Sequence, residues 1–178
     1  ALQYIFNESC NKESCWIKQK CISENIDIDT KDYTFAPKSP ESWKENPTEW
    51  LTSTDIVEVM KQYEKKHRNF DFIGPSPIDF DKHLAYGECV WEELCEFSLE
   101  KSLSEGKTQI GIIFNLDKHN QEGSHWIAMY INTDKRHIYF LDSYGEQMPK
   151  QVKKFKTKVQ KQSLKIGNGK KYKLFENK

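Results

Sequence analysis

The chain has 178 residues, 37% hydrophobic and 13% aromatic, and its 27 basic side chains equal its 27 acidic ones. The aromatic share excludes a disordered chain, and eight Gly with six Pro exclude a collagen-like one. The net charge of zero hides a split: residues 149–178 hold eleven Lys against one acid, Glu176, which leaves residues 1–148 with sixteen basic and twenty-six acidic side chains.

Residues 1–48 are polar and weakly periodic, and read as an N-terminal arm or lead-in. The opening Ala-Leu-Gln-Tyr-Ile-Phe-Asn-Glu has no basic start and no long apolar stretch, so it is not expected to be a secretory signal. Pro37, Pro40 and Pro47 punctuate the end of this region, and one domain is expected over 49–178. No apolar run approaches the ~18–20 residues that span a bilayer, so no membrane partner is expected. The cysteines are Cys10, Cys15, Cys21, Cys89 and Cys95. Their odd number, in a chain too long to need disulfide staples, favours a reducing, intracellular and cytoplasmic setting. Cys10, Cys15 and Cys21 lack a nearby His and a fourth partner, so no metal and no cofactor is expected.

From Trp50 the pattern sharpens. Thr52-Ser53-Thr54 offers helix N-caps, Asp55 and Glu58 suit the positive end of the helix dipole, and Ile56, Val59, Met60 and Tyr63 recur at helical spacing. Gly74-Pro75-Ser76-Pro77 reads as a break. A second helix is expected over about 88–104, with Trp91, Leu94, Cys95, Leu99 and Leu103 on one side and Gly106 as its stop. Cys89 and Cys95 then read as core thiols. Gln109–Phe114 predicts a buried strand, 115–124 a polar loop, and His125–Ile131 a strand apolar on both faces. A turn over 132–136 leads to a return strand, His137–Asp142, closed by Ser143-Tyr144-Gly145. Met148, Val152, Phe155 and Val159 mark a helix in the basic stretch, Gly167-Asn168-Gly169 a turn, and Tyr172–Phe175 a last strand. The basic stretch has two open readings, a solvated helix face on an acidic body or a weak nucleic-acid contact. The order of elements implies an α+β fold, with helices packed on a small, mostly antiparallel sheet.

The hairpin places the chemistry. If its turn centres between Thr133 and Asp134, His125 falls opposite Asp142, with Cβ atoms about 4.5–5.5 Å apart. A wider loop keeps both at the same end of the hairpin but requires local bending. A carboxylate beside an imidazole fixes its tautomer and stabilises the imidazolium, which leaves the other ring nitrogen to accept a proton from a thiol or hydroxyl. A structural histidine at a strand end remains the alternative. His67, His83, His119 and His137 have no acid that the sequence pairs with them, and read as surface or structural.

The words around this pair carry a resemblance. Gly123-Ser124-His125-Trp126-Ile127-Ala128-Met129-Tyr130-Ile131, followed by Ile138-Tyr139-Phe140-Leu141-Asp142-Ser143-Tyr144-Gly145, resembles the signature of the SUMO-protease and adenovirus-proteinase group of cysteine proteases. Trp50-Leu51 ahead of Asp55-Ile56 is similar to that group's entry segment. Ile112-Ile113-Phe114-Asn115 looks most like its large-DNA-virus branch, the African swine fever virus polyprotein-processing protease type. The resemblance covers about residues 50–175 and implies a papain-like cysteine protease fold with a Cys–His–Asp triad.

Residue by residue, the resemblance makes His125 the general base and Asp142 its orienter. Trp126 would help shape the substrate cleft, and Asn115 would lie near the reacting centre. The group's nucleophile is a Cys in a segment resembling Q-x-x-x-x-x-C-G, forty or more residues beyond the acid. Here Lys178 lies thirty-six residues after Asp142 and no Cys follows Cys95. The chain therefore reads either as truncated before its nucleophile, and inactive alone, or as a degenerate binding module for a ubiquitin-like protein or virion component. The implied substrates are polypeptides cleaved after small, Gly-rich motifs, in viral polyproteins or ubiquitin-like modifiers, at a viral assembly site or in the virion.

Overall fold

The α-helix α1 (Ser53–Lys66) starts where its capping residues place it. The Thr52 hydroxyl accepts the Asp55 N–H at 3.2 Å, and the Asp55 carboxylate accepts the Thr52 N–H at 2.9 Å, a reciprocal capping box. The computed structural model describes residues 15, 19, 24, 35–166 and 169–177. The chain divides into two units, Ala1–Pro40 and Glu41–Lys178, and the sheet and its helices belong to the second. Cys10 and Cys21 lie outside the described residues, and Cys15 is disulfide-bonded.

α1 packs on β1 (Phe70–Pro77), a strand where the sequence reads a break at Gly74-Pro75-Ser76-Pro77. Proline cannot donate to a ladder, so it is confined to edges and bulges. β1 meets both conditions: it lies at the edge of the sheet, and its pairing with β2 is interrupted between Ile73 and Ser76. Gly74, at the interruption, has φ +113°, and a Cβ there would lie 2.7 Å from the Ile113 carbonyl oxygen.

The single helix expected over 88–104 is instead two short ones, α2 (Glu92–Cys95) and α3 (Leu99–Ser104), the second capped by Ser98. Leu94, Phe97 and Leu99 are all buried. Phe97 and Leu99 are two residues apart, which puts them on opposed sides of a continuous helix. The break between α2 and α3 lets all three enter the core. It also changes the setting of Cys89 and Cys95. They are joined as a disulfide and only partly buried, not core thiols.

Three further strands, β2 (Gln109–Asn115), β3 (Trp126–Asn132) and β4 (His137–Asp142), form an antiparallel meander. β5 (Lys173–Glu176) then runs parallel beside β4. The sheet order is β1-β2-β3-β4-β5, antiparallel at its centre and parallel at both edges. Between β4 and β5 runs α4 (Lys150–Ile166), which turns Val152, Phe155 and Val159 into the core. There Phe155 meets Phe97 and Phe80 edge-on, with ring centroids 5.3 and 5.9 Å apart. Lys150, Lys153, Lys154, Lys161 and Lys165 are on the solvated side, and Lys154 reaches Asp81 at 2.7 Å. Among the described residues no helix is long and apolar enough to cross a membrane.

Candidate active site

His125 and Asp142 come together, though not through the register of a two-residue turn. The β3–β4 loop spans 133–136, with Arg136 at φ +57°, and it pairs Ile127, not His125, with Asp142. His125 therefore precedes β3 and lies diagonal to Asp142. Diagonal neighbours on one sheet face are about 7–8 Å apart, within reach of a long side chain. The ring closes that gap, and His125 Nε2 sits 2.7 Å from Asp142 Oδ1. A carboxylate only accepts, so Nε2 donates, and in the neutral imidazole Nδ1 holds the lone pair. This is the reverse of the ring orientation in the serine-protease triad, where Nδ1 faces the acid.

Asp142 is held on all sides. Its side chain is 3% exposed. The Tyr144 N–H donates to the same Oδ1 at 2.9 Å. Asn177, just past β5, brackets the Asp142 backbone: its Oδ1 accepts the Asp142 N–H at 3.0 Å and its Nδ2 donates to the Asp142 carbonyl at 2.6 Å. Burial pushes the Asp142 carboxyl up. The hydrogen bonds from His125 and from the Tyr144 and Glu146 N–H groups, with the charge of His125, outweigh that and hold it below the usual carboxylate value. Tyr144 covers the imidazole, stacked at 4.5 Å between ring centroids and 19° between planes. The turn that folds it back is closed by the Gly145 N–H donating to the Asp142 carbonyl at 3.0 Å, with Gly145 at φ +71°.

A groove of about 710 Å³ is lined by Ser124 and Trp126, the chain neighbours of His125, but not by His125 or Asp142 themselves; Asp142 lines a smaller pocket of about 320 Å³ that shares Trp126. The walls of the larger groove include Trp50, Leu51, Pro75, Trp91, Asn115 and Trp126. Trp126 is fixed by its indole N–H donating to the Leu51 carbonyl at 3.0 Å. That bond ties the start of β3 to the segment before α1, where Trp50 stays 73% exposed. Asn115 braces the loop above the groove: its Oδ1 accepts the N–H groups of Asp117 at 2.9 Å and Ser124 at 3.3 Å. Asp117 adds bonds from the Gly123 N–H and the Ser124 hydroxyl.

Two further arrangements depart from the sequence reading. His119 has an acid after all: its Nδ1 lies 2.7 Å from Asp79 Oδ2, and its backbone N–H donates to Asp79 Oδ1 at 2.9 Å. Burial raises the Asp79 carboxyl, and these bonds more than reverse it. Ring and backbone of one residue on one carboxylate lock a loop, and the partners are forty residues apart, which no local pattern reveals. Cys95 opens onto a separate cavity along α4, away from the groove beside His125. Tyr144 and Asn177 were not singled out from sequence. The Tyr-Gly after Asp142 is a turn signal that could have found the first, whereas the second depends on a pairing across the sheet.

No family model matches the chain. A protein of Acanthamoeba polyphaga mimivirus named "Putative thiol protease" is 32% identical over 148 residues, which is 83% of this chain. The chain spans about half (47%) of that relative's length. Among solved structures, the pS273R protease of African swine fever virus superposes with a TM-score of 0.59 at 21% identity, over 98% of this chain and 68% of the viral one. The SUMO protease Ulp1 is a looser likeness, with a TM-score of 0.48 at 23% identity, over 74% of this chain and 57% of Ulp1. The resemblance read from residues 123–145 is borne out: the relative is named for thiol-protease activity in a large DNA virus, and the chain has the α+β fold of the African swine fever virus protease.

Proposed function

From this kinship with a viral thiol protease and the shared protease fold, we propose that the chain is part of a cysteine endopeptidase in which His125 is the general base and Asp142 its orienter. The 2.7 Å contact between His125 Nε2 and a buried carboxylate carries the reading. With Nε2–H donated to Asp142, the Nδ1 lone pair takes the proton of a thiol. The thiolate attacks the peptide carbonyl, and the imidazolium returns its proton from Nδ1 to the leaving amine. Water, activated by the same nitrogen, then resolves the acyl-enzyme. Asp142 stays ionised through this cycle because its hydrogen bonds favour the carboxylate. Its negative charge stabilises the imidazolium.

The attacking thiol is assigned to a cysteine on a segment following β5, in the pattern Q-x-x-x-x-x-C-G. What supports this is topology. β5 runs parallel to β4 and brings the chain to Asn177, whose side chain grips the Asp142 backbone. A segment continuing from there begins beside the His–Asp pair. The groove walled by Trp50, Leu51 and Trp126 offers a polypeptide exposed aromatic surface, and the preference for small residues is what the family resemblance implies. The substrates we propose are viral polyproteins or ubiquitin-like modifiers cut after Gly-rich motifs.

The test is a longer protein, carried a few tens of residues past Lys178, treated with a thiol-directed peptide probe. Labelling that disappears in His125→Ala is expected. If the longer protein gains no thiol reactivity that depends on His125, the protease reading fails and a binding role for the same groove replaces it.

A further inference from the structure

Two cysteines that the site does not use, Cys89 and Cys95, form a cluster with His83. His83 and Cys89 face each other across an antiparallel bridge. The bridge belongs to a small hairpin held by backbone hydrogen bonds: Trp91 to Phe80 at 3.0 Å, Val90 to Lys82 at 3.0 Å and Leu84 to Glu88 at 2.8 Å, donor first. Cys95 arrives from the end of α2, and its Cα lies 6.3 Å from that of Cys89. One imidazole nitrogen and two sulfurs thus lie within 4.8 Å of one another, and His83 and Cys95 line the cavity along α4.

We propose that His83, Cys89 and Cys95, with the two cysteines reduced, bind one zinc(II) ion, the fourth position being open to water. The geometry favours this set. Tetrahedral zinc with Zn–S of about 2.3 Å and Zn–N of about 2.0–2.1 Å separates a sulfur from a nitrogen by about 3.6 Å. The Cys89 Sγ to His83 Nε2 distance is 3.6 Å. A disulfide alone has no use for an imidazole at that spacing. The sulfurs must part to about 3.8 Å, the sulfur–sulfur edge of the same tetrahedron. The Lys158 ammonium donates to the Cys95 carbonyl at 2.6 Å and holds the end of α2 in place.

The chemistry balances simply. A dithiol reductant breaks the Cys89–Cys95 bond, supplies two electrons and two protons, and leaves as its own disulfide. Zinc(II) then displaces both thiol protons, giving two thiolates on a doubly charged ion, while His83 binds neutral through Nε2. The bonded cysteines and the zinc-loaded dithiol are therefore two exclusive states of one site, exchanged by reduction potential.

The experiment uses the whole chain, reduced and freed of metal under anaerobic conditions, titrated with cobalt(II) and then back-titrated with zinc(II). One equivalent of cobalt is expected to give a thiolate-to-metal charge-transfer band and intense visible bands of four-coordinate cobalt, both erased by zinc. Cys89→Ser and Cys95→Ser each remove the charge-transfer signal in part, and together remove it entirely. A triple Cys10→Ser, Cys15→Ser, Cys21→Ser variant keeps it. His83 is exposed, so His83→Ala leaves packing alone, and it is expected to weaken metal binding at least tenfold. The proposal is overturned if the reduced chain takes up no cobalt, if His83→Ala binds as tightly as the parent, or if the signal follows the triple variant instead.

Discussion

The clearest single test of the His125–Asp142 pair compares Asp142→Ala with Asp142→Asn in the present chain. In the parent, Oδ1 accepts two hydrogen bonds, from His125 Nε2 at 2.7 Å and the Tyr144 N–H at 2.9 Å, at a side chain 3% exposed. Alanine leaves both donors without an acceptor. Each orphaned buried donor costs about 1–3 kcal/mol, and breaking a buried pair about 3–5 kcal/mol in all. Asparagine can place its own Oδ1 at the same point and keep both bonds. It loses their charge assistance, about 1–2 kcal/mol for the two together, and weakens the contact with the Glu146 N–H that alanine loses as well. Urea unfolding at neutral pH should therefore separate the two variants by about 2–3 kcal/mol, a midpoint gap of about 1–2 M.

Acid supplies the second arm of the test. Burial acts upward on Asp142, but its hydrogen bonds hold the folded carboxyl below its ordinary value. Its charge therefore stabilises the fold above the ordinary carboxylate range, and that contribution is lost as pH falls through the folded value. The gap between parent and Asp142→Asn should close on acidification. Equal midpoints for the alanine and asparagine variants, or a parent–asparagine gap that persists in acid, would refute the reasoning.

Three other changes have defined outcomes. Gly123 has φ +100°, and a Cβ there would lie 2.7 Å from Asn115 Nδ2, so Gly123→Ala should lower stability by about 1–3 kcal/mol in thermal unfolding. Thr52→Ala removes the capping box of α1 and should cost about 0.5–2 kcal/mol by the same measurement. Tyr144→Phe keeps the ring over His125 whereas Tyr144→Ala exposes it, so in the extended protein only the alanine variant should slow probe labelling, by about tenfold as positioning losses go. A phenylalanine variant as slow as the alanine one would show that the hydroxyl, not the stacked face, matters.

The two His–Asp contacts in this molecule differ in a way that bears on function. At Asp79 one residue, His119, supplies both the ring and the backbone donor, so the carboxylate closes a loop on itself. At Asp142 the ring donor and the backbone donor come from different residues, His125 and Tyr144. A similar distance of 2.7 Å thus serves a clamp in one place and a candidate acid–base group in the other.

Local pattern was enough for the elements whose code is local. Thr52 and Asp55 set the start of α1, the apolar run 109–114 set β2, and Val152, Phe155 and Val159 set the buried side of α4. It also brought His125 and Asp142 to one end of one hairpin, because strand alternation survives a change of register by two. It could not set that register, since the loop 133–136 is held partly by Thr133 bonding to Thr108, twenty-five residues away. Nor could it find β1, where prolines are tolerated only because the strand lies at an edge, or the break between α2 and α3, which answers to three buried side chains and not to helix propensity. The Asn177 clasp on Asp142, the His119–Asp79 lock and the meeting of His83, Cys89 and Cys95 belong to tertiary structure as well. Each depends on side chains that a folded backbone brings within hydrogen-bond or bonding reach, and distance in space is the one quantity that spacing along a chain does not encode.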